Sequence, residues 1–150
     1  MKKQIIIALA LSVSAFSFAQ KKELRTAEKA IKGTNFAEAK GALKQAEVLM
    51  SEMDDKTKAQ YYYLNAEALY AGGAGTINDI DAALESLDKV QGDYVTESSQ
   101  LKQTMVNGIL TKGNAFYEKE DYSTSSKYFE KAYRASAKDT IFLYYAAATA

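Results

Sequence analysis

The 150-residue chain contains no cysteine, no histidine, no tryptophan and no proline. Each absence excludes something. Without His and Cys the chain lacks the commonest general base, the thiolate nucleophile and the usual zinc ligands. Without Cys no disulfide forms, so stability has to come from packing. Without Trp the broad aromatic platform that suits sugars is missing. Without Pro no helix is interrupted by a missing backbone donor. An excess of one charge is lacking too, since 19 basic residues balance 19 acidic ones. Such an even mixture argues against nucleic acid, which calls for a basic patch, and offers no polybasic segment for an anionic membrane.

Long apolar runs are also scarce. The longest, Ile5 to Phe18, is broken by Ser12, Ser14 and Ser17. At 14 residues it falls short of the ~20 that span a bilayer as a helix. It follows the basic Met1-Lys2-Lys3 and leads into Ser17-Phe18-Ala19, with small residues at the −3 and −1 positions of a cleavage site. That is the layout of a secretory signal peptide over residues 1–19. Cleavage after Ala19 leaves Gln20 first and no Cys nearby to carry a lipid. The expectation is export to the periplasm or beyond, with no stable membrane insertion after cleavage. The remaining 20–150 holds 17 basic and 19 acidic residues, a net charge of −2.

What the chain does contain favours helix: Ala, Leu, Lys, Glu and Gln dominate, and few of them carry a backbone penalty in a helix interior. Apolar residues recurring at three and four positions predict helices over 22–32, 36–50 and 58–71. Gly33-Thr34-Asn35 separates the first two, a polar joint at 51–56 the next, and Gly72-Gly73-Ala74-Gly75-Thr76 ends the third. Asp79 or Asp81 is the expected N-cap of a helix over 82–90. Longer helical patterns cover 98–119 and 122–135, and Asp139 caps a last helix from Thr140. Ala146 to Ala150 carries no stop signal, so the chain reads as the N-terminal part of a longer protein.

The segment from Gly113 to Tyr133 sets a small residue, an aromatic three on (Phe116), an acidic-aromatic turn (Asp121-Tyr122), a small residue (Ser125), an aromatic four on (Phe129) and an alanine three on (Ala132). Leu143 and Ala147 continue the pattern, and Gly113 and Ala147 lie 34 residues apart. This resembles the tetratricopeptide repeat. More degenerate units fall at Ala27, Ala30, Asn35-Phe36, Ala39, Leu43 and Ala46, and at Ala66, Leu69, Ala83, Leu87 and Val90. The family's Trp and closing Pro are missing, and the second unit is lengthened by residues 72–81. The resemblance covers nearly all of 21–150 and implies an all-α fold. The fold it implies is an α-solenoid of antiparallel helix hairpins over about 21–50, 57–90 and 98–135, with the start of another at 139–150. It further implies that Ala39, Ala83 and Ser125 let paired helices approach closely, and that the first helix of each pair lines a concave groove.

No catalytic, cofactor-binding or metal-binding residues are expected. Asp54-Asp55 and Asp79/Asp81 suit helix caps, and the glycine cluster lacks the Lys-Ser/Thr of a phosphate loop. Tyrosine is plentiful, with 11 in the chain. Mapping the repeat onto the groove side gives Tyr63, Glu67, Tyr70, Leu110, Asn114, Tyr117 and Tyr144 as candidate partner-binding residues. Tyr offers large contact area at low entropy cost together with a polar tip. Leu110 beside Asn114 departs from the lysine arrangement by which some relatives of the repeat hold a C-terminal carboxylate. The expected function is a non-catalytic scaffold of the cell envelope that binds a protein or peptide ligand. The alternatives are an accessory domain of a longer exported enzyme or a glycan-binding helical repeat.

Overall fold

A computed structural model describes residues 18–136 and 139–150, so most of the expected leader at 1–19 lies outside the described residues. Every described element is helical. Helix α1 covers 18–32, α2 Phe36–Glu47, α3 Asp55–Tyr70, α4 Ile77–Leu87, α5 Val95–Tyr117, α6 Tyr122–Ala135 and α7 Thr140–Ala148. Short 3₁₀ turns at Met50–Glu52 and Ala71–Gly73 follow α2 and α3. No described helix is long and apolar enough to cross a membrane.

The helices begin where side chains satisfy their first free amides. Asn35 accepts from the Glu38 amide, Asp54 from Thr57, Asp121 from Thr124 and Asp139 from Ile141. The start of α4 differs from expectation: it lies at Ile77, not Ala82, and neither Asp79 nor Asp81 is its N-cap. Thr76 is the cap. Its hydroxyl accepts from the Asp79 amide at 3.1 Å while the Asp79 carboxylate accepts from the Thr76 amide at 2.9 Å. This reciprocal pair is a capping box. Asp81 is left to bridge α4 to α6, 2.8 Å from both Lys131 and Arg134. Helix α5 starts three residues before the expected Ser98, behind Tyr94, whose φ of 69° is left-handed.

Two core clusters form. The first joins Leu24, Ala27 and Ala30 of α1 to Ala39, Leu43 and Ala46 of α2 and to Tyr61, Leu64 and Ala68 of α3. The second joins Ala66 and Tyr70 of α3 to Ile80, Ala83, Leu84 and Leu87 of α4, Met105, Val106 and Ile109 of α5, and Tyr128, Ala132 and Ala135 of α6. The half-buried Tyr63 packs on both.

Helices α5 and α6 run antiparallel. Tyr117 meets Tyr122 beside the turn, and further back Gly113 meets Ser125 and Phe129. The buried Ser125 hydroxyl donates to the Gly113 carbonyl at 2.9 Å. A methyl group on Gly113 would stand 3.0 Å from the Phe129 ring, so only a hydrogen fits comfortably there. Small residues at this crossing bring the backbones close enough for the phenyl ring to fill the space beyond. Helix α6 also packs on α7, and α4 touches α6.

Candidate functional site

The sequence-derived candidates fall into two patches, one core position and one exposed position, Tyr144, outside both patches. The first patch centres on α3. Tyr63 stacks on Tyr94, which reaches over from the start of α5, with ring centroids 5.5 Å apart and planes 23° from parallel. Glu67 lies one turn beyond Tyr63, and the Tyr63 hydroxyl reaches its carboxylate. Helix α1 brings Glu28, which holds Lys32 at 2.6 Å, and α5 brings the exposed Glu97. Burial raises the Glu67 pKa above the usual 4.5; the Tyr63 hydroxyl offsets part of that by favouring the carboxylate. Burial also pushes the Tyr63 phenol up, with Glu67 and Glu97 adding to the effect by opposing a second negative charge. The patch therefore presents a stacked aromatic pair rimmed by carboxylates and one lysine.

The second patch lies at the other end of the chain. Leu110, Asn114 and Tyr117 of α5, Phe129 of α6, and Phe142, Tyr145, Ala148 and Thr149 of α7 line a trough of about 420 Å³. Among the described residues no charged side chain lines it. Pockets that hold small organic groups have volumes of about 300–1,000 Å³, so an aliphatic or aromatic side chain fits comfortably. The exposed Asn114 makes no side-chain hydrogen bond among the described residues, and its amide is available to a guest's backbone. Thr149 is already committed, donating to the Tyr145 carbonyl at 2.9 Å. Tyr117 stands half-exposed against Tyr122 with centroids 5.4 Å apart. Tyr144 is 67% exposed but points away from the trough, beside Tyr145 on the outer surface of α7. Ile141 and Leu143 extend that exposed apolar surface.

Tyr70 does not belong to either patch. Its ring is buried in the second core cluster, where its hydroxyl lies against Gly108 of α5, so no partner reaches it. Repeat position alone placed it on the groove. The glycine opposite, which makes room for a whole phenol, was not visible as its counterpart.

Four residues of these patches were not singled out from the sequence. Tyr94 sits in a loop and gains its role from a stack across 31 positions, for which no local signal exists. Phe129 was assigned to the hairpin seam, and it does pack there, yet its ring also floors the trough. Phe142 and Tyr145 lie in the uncharged run Ile141–Ala148, whose lack of any polar face was the available hint.

Among the described residues no three or more acidic side chains gather where they could hold a metal ion. No family model matches this chain, and neither a curated protein nor a solved structure matches it.

Proposed function

We propose that the chain is an exported scaffold of tetratricopeptide type that holds a segment of another protein along the inner faces of its odd-numbered helices. Several packing features support the solenoid reading. Ala39, Ala83 and Ser125 are fully buried at the crossings where the repeat needs small residues, and Leu43, Leu87 and Phe129 are buried beyond them. The export reading rests on the leader pattern of residues 1–19.

The observation that carries the binding reading is the uncharged trough between α5 and α7, with the free Asn114 amide on its wall. A guest side chain entering there would bury apolar surface on Leu110, Phe129, Phe142 and Tyr145 while Asn114 fixes its backbone. The Tyr63–Tyr94 stack and its carboxylates offer a second foothold on the same groove, suited to a basic side chain of that guest.

Affinity capture tests this. The immobilised protein is expected to retain a defined envelope protein, and Leu110→Asp and Tyr145→Ala are expected to release it with native circular dichroism intact. Retention that is the same for wild type and both variants would refute the trough as the working surface.

A further inference from the structure

We infer that the outer face of α1 is a docking surface for anionic phospholipid bilayers, separate from the groove. At 100° per residue, Lys21, Lys22, Arg25 and Lys29 all fall within an arc of about 100° on this helix. All four are exposed. The opposite side of α1, Leu24, Ala27 and Ala30, is buried against α2 and α3, which fixes the basic arc outward.

The balanced total charge concealed this arrangement. Residues 20–32 hold five basic and two acidic residues, whereas 33–150 hold twelve basic and seventeen acidic. The positive charge is thus concentrated on the first helix of a chain that is otherwise acidic. The two acids do little to cancel it. Glu28 pairs with Lys32 at 2.6 Å, and Glu23 lies 3.9 Å from Lys22. Lys21, Arg25 and Lys29 have no carboxylate within ion-pair distance among the described residues. The expectation that the chain offers nothing to an anionic membrane therefore changes once the lysines are placed on a helix.

A flat bilayer suits this surface better than a soluble polyanion. The cations lie along one helix face, and a polymer that wrapped beyond it would meet the acidic remainder. A planar headgroup layer touches only that face.

Flotation of the processed chain, Gln20 to Ala150, with vesicles tests the proposal, comparing pure phosphatidylcholine with mixtures containing phosphatidylglycerol. Binding is expected to rise with the phosphatidylglycerol fraction and to fall back towards the phosphatidylcholine level in ~1 M salt, where the screening length is about 3 Å. Neutralising Lys21, Arg25 and Lys29 together to Gln is expected to cost about a hundredfold in affinity for the anionic vesicles, each cation near such a surface contributing roughly fivefold. The same change at the exposed Lys44, Lys119 and Lys127 is expected to leave affinity within about threefold, because these residues are scattered over other helices and contribute only to net charge. Equal binding to neutral and anionic vesicles would assign attachment to apolar residues and overturn the proposal. So would equal losses for the two triple variants. Tighter binding to duplex DNA than to the anionic vesicles at the same ionic strength would overturn the bilayer as the partner.

Discussion

Replacing Gly108 by Ala is expected to change sign with the residue at position 70. In the native chain a methyl group at 108 would overlap the Tyr70 hydroxyl, while the rest of the phenol ring lies 3.4 Å away or farther. The ring is buried, so relieving the overlap means tilting it inside a packed core, at about 1–3 kcal/mol. Alanine in place of glycine within a helix returns roughly 1 kcal/mol. Gly108→Ala alone is therefore expected to destabilise by about 1 kcal/mol. In the Tyr70→Phe background the offending oxygen is gone and the methyl meets ordinary contacts. There the same substitution is expected to stabilise by up to about 1 kcal/mol, giving a coupling near 2 kcal/mol across the cycle. Urea titration of the four proteins, followed by far-ultraviolet circular dichroism, measures it. Equal effects of Gly108→Ala in both backgrounds would show that Tyr70 does not rest on the α5 backbone as described.

Three further expectations follow from the same packing. Gly75→Ala would push a methyl into the Leu69 carbonyl, and is expected to cost on the order of 2 kcal/mol, whereas Gly41→Ala in α2 meets nothing and should gain about 0.5–1 kcal/mol by thermal denaturation. Thr76→Ala removes one half of the capping box and is expected to cost about 1 kcal/mol, with faster amide exchange in the first turn of α4. Glu67 has a folded pKa above its unfolded value, so its charge works against folding at neutral pH, and this penalty fades as the pH falls through the raised value towards 4.5. Glu67→Gln should therefore be more stable than wild type at pH 7, and the two unfolding midpoints should converge below pH 4.5; a constant gap at every pH would remove the electrostatic explanation.

Local chemistry made most of the helices legible. Gly33-Thr34-Asn35 and Glu120-Asp121 break the chain where their composition says they should, and Tyr122–Ala135 matches the apolar period to the residue. Where an element started early, a reciprocal side-chain contact was responsible. Thr76 is an ordinary residue after glycines until Asp79 closes on it from three positions ahead. The groove candidates were legible only through repeat position, which places Leu110, Asn114 and Tyr117 together but cannot weigh what lies across from each. Tyr70 shows the difference: repeat position assigns it to solvent, and the bare backbone at Gly108 draws it into the core. The basic arc of α1 escaped notice for a related reason. Four cations spread over nine positions look diluted in a line and become adjacent only when the line is wound at 3.6 residues per turn.

Tyr63 is the one side chain placed against both core clusters among the described residues, and this has a consequence for how the molecule opens. Among the described residues both clusters draw on α3, with α1 and α2 on one side and α4 to α6 on the other, so each block keeps most of its own interior if the other melts. Transient openings should then come in two sizes, with α1 and α2 exchanging their amide protons together while α5 and α6 stay protected. A ring that touches both blocks, and also lies on the groove, is placed so that a guest resting on it would slow the smaller opening.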